Sequence, residues 1–140
     1  IEIDPRLAQA LQRRLANTHV RVIEGDASHM RLESQAFSSV IAMTMLHHVP
    51  SAALQDQLFA EVYRVLRPGG LFAGTDNTGG PRFWLIHLGD TMVTVDPATL
   101  GQRLAAVGFG DIRIDTLGQR FRFRAIRPPD SVVKRQIGTY

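Results

Sequence analysis

The segment Ile1-Glu2-Ile3-Asp4-Pro5 reads as the end of a β-strand running straight into a capped helix, and it constrains the fold more than any other stretch. Asp4 is a good N-cap, and Pro5 suits the first helical position, where a missing N–H costs nothing. A strand that feeds directly into a helix is the repeating unit of α/β sheets. An acid at such a strand end, here Glu2, is where these sheets commonly grip a nucleotide ribose, ~20 residues after a glycine-rich phosphate turn. That count places the turn ahead of residue 1. The expectation is a domain that begins in mid-fold.

Downstream, the same alternation continues. Leu7, Ala8, Leu11 and Leu15 form a helical stripe with Arg6, Arg13 and Arg14 on the other side, and the helix should stop near Asn17. Residues 20–23 read as a strand that breaks at Gly25-Asp26. Phe37–Met43 is an apolar run suited to a buried central strand. Ser51 can cap a helix striped by Leu54, Leu58, Val62 and Leu66, which Arg67-Pro68-Gly69-Gly70 should end sharply. A short strand over 71–75 closes at Asp76, and residues 83–88 suit a short apolar helix. Asp96-Pro97 repeats the cap-plus-proline start of a helix ending at Gly108. Strands at 111–115 and 120–126 follow, joined at Gly118 by a connection too short for a crossover, so they should form an antiparallel hairpin. A domain over residues 1–127 and a poorly ordered tail over 128–140 result.

Composition excludes several classes of function. The 140 residues contain no cysteine, which rules out disulfides, thiolate zinc sites and cysteine nucleophiles. That is compatible with a reducing compartment, and a cytoplasmic location is the expectation. No apolar run approaches the ~20 residues needed to span a bilayer. Net charge is +3, with a late run of arginines at Arg113, Arg120, Arg122, Arg124 and Arg127. Their alternation reads as the solvated face of a strand, with Phe121 and Phe123 turned to the core. No aromatic stacking platform lies beside them, which argues against a nucleic-acid partner.

The polar punctuation falls at strand ends. Glu2 closes the first strand, Asp26 the second, residues 44–48 follow the third, and Asp76 closes the fourth. Open α/β sheets bind ligands at these carboxyl ends. The expectation is that all four converge on one edge.

These residues carry a resemblance. Glu2-Ile3-Asp4, Gly25-Asp26-Ala27, Phe37-Ser38-Ser39-Val40-Ile41, Leu46-His47-His48-Val49 and the run EVYRVLRPGG from Glu61 to Gly70 resemble successive motifs of class I S-adenosylmethionine-dependent methyltransferases. The resemblance covers residues 1 to about 76. It implies an α/β, Rossmann-like, mostly parallel sheet with helices on both faces and a C-terminal antiparallel hairpin. The family's first strand and helix are missing from the sequence. It further implies S-adenosylmethionine as cofactor, with Glu2 accepting hydrogen bonds from the ribose hydroxyls, Asp26 near the adenine amino group, Ala27 near the ring and Met43 lining the site. Asp4 rivals Glu2 for the ribose, but Pro5 assigns it to the helix cap. Where the family has Phe-Asp, this chain has Phe37-Ser38.

The reaction implied is in-line methyl transfer to a small-molecule substrate, in which positioning supplies much of the acceleration. A general base is needed only if the nucleophile must lose a proton. His47, His48, His87 and Asp90 are candidates, none with a signature partner. His47 and His48 read as structural more readily than catalytic. No metal site is expected, since adjacent histidines lack the i, i+4 spacing that places two ligands on one helix face. Residues 83–86 suit a substrate-pocket cap and a core segment equally. A non-catalytic interaction domain built on this fold is the alternative. A nicotinamide-dependent oxidoreductase is opposed by the Asp26 turn and RVLRPGG. Homo-oligomerisation stays open. The residues as given, without the glycine-rich turn, are expected to bind the cofactor weakly or not at all, and a polypeptide extended through such a turn to bind it.

Overall fold

A computed structural model of the chain describes residues 1–80 and 92–130. Its centre is an open four-stranded sheet of β1 (Phe37–Met43), β2 (Leu66–Asn77), β3 (Gly110–Leu117) and β4 (Arg120–Ile126), ordered β1-β2-β4-β3. β1 and β2 are parallel, while β4 runs antiparallel to both β2 and β3. The helices are α1 (Pro5–Arg14), α2 (Ala52–Val65) and α3 (Pro97–Val107), with a 3-10 turn at Leu46–His48. This is the α/β, Rossmann-like layering expected from the sequence, and it ends in the expected hairpin. No described helix is long and apolar enough to cross a membrane.

The helix boundaries follow from their caps. Asp4 accepts hydrogen bonds from the N–H groups of Arg6 and Leu7, at 2.7 and 3.0 Å, so its carboxylate is committed to the start of α1. Ser51 accepts from Leu54 N–H and Asp96 from Ala98 N–H. α3 stops at Gly108, whose φ of 115° lies in the region glycine tolerates and side chains avoid.

The core lies on one face of the sheet. Phe72 from β2 and Phe121, Phe123 and Ala125 from β4 meet Leu58, Phe59 and Val62 of α2 and Leu100 and Leu104 of α3. Burying side chains of this size contributes about 1.5–3 kcal/mol each. Phe72 and Phe123 stack edge to face at 4.9 Å. Gly74 makes this packing feasible: a Cβ there would come within 2.2 Å of the Ala42 carbonyl and 2.8 Å of the Phe123 ring.

Several expectations need correcting. Residues 20–23 form no strand among the described residues; a single parallel bridge joins Glu2 to Glu24, and one bridge is too short a ladder to make a strand. β1 is not a buried central strand. Among the described residues it pairs only with β2, and Ile41 and Met43 are 58% and 60% exposed. A cavity of about 330 Å³ separates it from the Glu2–Glu24 piece, with Ile1 and Ile23 on one wall and Phe37 and Ile41 on the other. The apolar stripe of α1 is also largely uncovered: only Ala8 is buried, and Leu7 and Leu11 are exposed. Leu66 belongs to β2 rather than to the preceding helix. Residues 67–70 follow in β2 as a bulge, because the β1 register jumps from Phe37↔Leu66 to Ser39↔Leu71. The expected helix at 83–88 and most of the tail lie outside the described residues.

The solvated-face reading of the late arginines holds for Arg122, paired with Asp115 at 2.9 Å, and for Arg113 and Arg124, both paired with Asp111. Arg127 differs. Its guanidinium donates to the carbonyls of Tyr63 and Leu66 at the end of α2 and lies 4.7 Å from the Tyr63 ring centre. A cation at a helix C-terminus answers the unpaired carbonyls there.

Glu61 and Arg64 hold the irregular segment after Asp26. Arg64 grips the Glu61 carboxylate through two nitrogens, at 2.8 and 2.9 Å. Glu61 in turn accepts from Met30 N–H at 2.7 Å, and Arg64 donates to the carbonyls of Met30 and Leu32. The Arg64 hydrogen bond, aided by the Met30 N–H against some desolvation, holds the Glu61 carboxyl below its ordinary range. A lowered folded-state value means this stabilisation is complete above the unfolded-state value. It is lost as pH falls through the folded one. Glu61→Gln should therefore cost about 1–3 kcal/mol at neutral pH, the scale for hydrogen bonds to a charged group. Urea midpoints at pH 7 and pH 3 check this: the gap between wild type and variant should narrow in acid.

Candidate functional site

Parallel pairing of β1 and β2 brings their carboxyl ends side by side, with Met43 opposite Thr75 and Thr44 N–H bonded to the Thr75 carbonyl at 2.8 Å. Thr44 leaves the strand with φ at 53°, a left-handed conformation that a β-branched residue rarely takes. Such conformations persist only where surrounding structure enforces them, and they cluster at functional edges. The turn at Thr44 directs the chain back over the end of β2.

There it meets Asp76. The Asp76 carboxylate accepts from His47 Nδ1 at 2.5 Å, from Asn77 N–H at 2.7 Å and from His47 N–H at 3.3 Å. Asp76 and His47 are both buried, at 2% and 1% exposure. His47 is thus a support under the edge and not a base presented to a substrate. The support extends further. Val93 N–H donates to the His47 carbonyl, and Gln55 Nε2 donates to the carbonyls of Leu46 and Val93. Arg103 of α3 then donates to Gln55 Oε1 and pairs with Asp56. One buried polar chain ties the turn, both helices and the end of β2 together. His48, by contrast, is exposed, with its ring centre 4.1 Å from that of His47. His87 and Asp90 lie outside the described residues.

Glu2 and Asp26 form a second cluster. Glu2 N–H donates to the Ile23 carbonyl and Gly25 N–H to the Glu2 carbonyl, both at 2.9 Å, so one parallel bridge brings Glu2 beside the Glu24-Gly25-Asp26 turn. Glu2 Oε1 accepts from Asp4 N–H at 3.0 Å, which folds its carboxylate over the strand–helix junction. Asp26 Oδ1 accepts from both the N–H and the hydroxyl of Ser28, each at 2.8 Å. These donors hold the Asp26 carboxyl below its ordinary range, more than burial raises it, so it is anionic at neutral pH.

Of the residues picked from sequence, Glu2, Asp26 and Ala27 come together in one cluster, and Met43, Thr44, His47, His48 and Asp76 in the other. The two meet where Ala27 and Met45 line the same 330 Å³ cavity. Met43 is exposed, its sulfur 3.9 Å from the Thr75 hydroxyl. No cluster of three or more metal-ligating side chains is present among the described residues. Sequence reasoning missed the His47–Asp76 contact, the Gln55 bridge and the Ser28 donors. Only Ser28, two residues beyond Asp26, left a local signal, as the partner of an Asx turn.

Two outcomes are expected here. Ser28→Ala should move the Asp26 carboxyl up toward its ordinary value, which an NMR pH titration of the carboxyl carbon would follow. Asp76→Ala orphans up to three buried donors at about 1–3 kcal/mol each. It should lower the denaturation midpoint far more than Asp115→Ala, which breaks only an exposed ion pair.

A family model described as a methyltransferase domain matches residues 1–74. In sequence the chain is 36% identical over 63 residues to the sterol 24-C-methyltransferase of Schizosaccharomyces pombe, covering 45% of this chain and 16% of that protein. In structure it is similar to a SAM-dependent methyltransferase of Thermotoga maritima, with TM-score 0.74 and 16% identity over 90% of this chain and 71% of that one. It is also similar to phosphoethanolamine N-methyltransferase 2 of Haemonchus contortus in complex with S-adenosyl-L-methionine. That match has TM-score 0.67 and 15% identity, over 83% of this chain and 40% of the other. At these identities the structural likeness is one of fold. The chain spans less than a fifth of the sterol enzyme's length and about half of another structural relative, at 51%.

Proposed function

Since the methyltransferase-domain model covers residues 1–74 of 140, the chain belongs to the class I S-adenosylmethionine-dependent methyltransferase family, and on that premise we propose that it serves methyl transfer to a small-molecule acceptor. The observation that carries this reading is the pairing of Glu2 with the Ile23–Gly25 backbone. It brings Glu2 beside the turn that carries Asp26, two acids at one parallel bridge, of the kind with which an α/β sheet receives a nucleotide.

The residues fit the cofactor's chemistry. An adenosyl group offers hydroxyl and amino donors, and Glu2 and Asp26 are acceptors, with Asp26 held ionised by Ser28. Ala27, Met30 and Met45 provide the apolar wall an adenine ring needs beside them. Glu2 would hold the ribose, Asp26 the adenine amino group, and Ala27 would lie near the ring. Met43, at the end of β1, would line the site toward the reacting end. S-adenosylmethionine brings a methyl group already activated by a sulfonium leaving group. The chain's share is therefore orientation: the Asp76–His47 pair fixes the turn carrying Thr44 and Met45, and His48 is the exposed ring at that turn. Any proton removal from the acceptor would fall to a group outside the buried pair.

Calorimetric titration with S-adenosylmethionine tests the assignment, using the chain and a polypeptide extended ahead of Ile1 through a glycine-rich turn. Glu2→Gln should weaken binding by about 1–3 kcal/mol, and Asp4→Ala should instead cost about 1 kcal/mol of folding stability. Cofactor binding lost in Asp4→Ala but kept in Glu2→Gln would reverse the roles. No binding by either polypeptide would remove the reading.

A further inference from the structure

A second cavity, of about 590 Å³, lies at the edge of the sheet formed by the carboxyl end of β2 and the turn end of the β3–β4 hairpin. Its floor is set by strand register: Thr75 pairs with Arg122, and Asn77 with Arg120, which in turn pairs with Leu117. Thr75 is also the neighbour of Met43, so the cavity adjoins the end of β1, the side toward which the proposed function would turn the cofactor's reacting end. Strained Thr44 lies in its wall.

Two acids, Asp76 and Asp115, and two arginines, Arg120 and Arg122, line this cavity, and they are not all paired with one another. Arg122 is answered by Asp115 at 2.9 Å, and the Asp76 carboxylate is turned inward onto three donors. The Arg120 guanidinium makes no hydrogen bond or ion pair among the described residues. A guanidinium with open donors binds a carboxylate or phosphate through two parallel hydrogen bonds. Asn77 and Thr116 add neutral donors nearby, and Leu117, 85% exposed in the same wall, offers an apolar surface. The wall is also fixed. Thr78 N–H donates to the Gln119 carbonyl at 2.9 Å, and the Gln119 side chain lies so close over Gly80 that a Cβ there would clash at 2.4 Å.

We propose that this cavity binds the methyl acceptor, and that the acceptor is a small amphipathic anion whose carboxylate or phosphate is held by Arg120 while its apolar body lies against Leu117. The proposal rests on the methyl-transfer reading only for the word acceptor; the anion site stands on the cavity itself.

Benzoate, phenyl phosphate and neutral benzyl alcohol are the probes, titrated into the 140-residue chain without cofactor and followed by amide chemical shifts. Both anions should move the amides of residues 75–78 and 116–122, and benzyl alcohol should bind at least tenfold more weakly. The tighter of the two anions identifies the carboxylate or the phosphate. Arg120→Gln should weaken the anions tenfold or more, and Asn77→Ala should weaken them independently. Arg14→Gln, which removes the same charge from α1, should leave them within twofold. Equal binding of the neutral probe, no loss in Arg120→Gln, shifts spread over every arginine, or no binding at all would each overturn the proposal. Anion binding without S-adenosylmethionine binding by either polypeptide would sink the methyl-transfer reading and leave the anion site. The reverse would sink only the site.

Discussion

β2 is the strand on which everything else depends, because it alone carries the parallel β1 on one side and the antiparallel β4 on the other. That position needs close approach from both sides, and Gly74 permits it by presenting no side chain to the Ala42 carbonyl or the Phe123 ring. With the strands drawn together, Phe72 can stack on Phe123 and reach Phe59 and Phe109. Two residues beyond Gly74 on the same face, the strand delivers Asp76 into the core. The carboxylate is tolerable there because three donors converge on it.

The candidate site follows from that placement. Asp76 holds His47, His47 fixes the turn after β1, and Gln55 and Arg103 lock the turn to α2 and α3. A fully satisfied buried network of this kind specifies one arrangement, since any displaced member leaves a polar group unpaired in a medium of low dielectric. Glu61 and Arg64 do the same for the segment between Asp26 and β1, which has no regular backbone pairing of its own. Both strand-end clusters are therefore held from beneath by side chains, leaving exposed groups such as Met43, His48 and Arg120 facing outward.

Charge is divided by face. The hairpin's outer face sets Asp111 and Asp115 against Arg113, Arg122 and Arg124, with Asp111 shared by two of them. Such exposed pairs contribute little to stability, typically under about 1 kcal/mol each. Arg120, at the end that adjoins the site, has no such ion-pair partner among the described residues. Arg127, one residue past the end of β4, serves instead as a cap on α2, which its place in an arginine-rich run gave no means of foreseeing.

What the sequence determined by itself are the features set by neighbours a few residues away. Asp4-Pro5, Ser51 and Asp96-Pro97 began helices, Gly108 ended one, Phe37–Met43 was a strand, and alternation in Arg120–Ile126 turned Phe121 and Phe123 inward. Caps, turns and period-two patterning act over one to four residues, so the amino-acid order contains them. The ordered motifs through Gly70 likewise made the family legible. Tertiary structure decided what depends on distant partners. Whether β1 is central or at an edge depends on what pairs beside it, and an apolar run reads the same in either place. The extension of β2 through Leu66 and Gly70 depends on a bulge against β1 that local turn signals concealed. His47 became a support because Asp76, 29 residues away, reaches it inside the core, and no local pattern encodes a contact of that range.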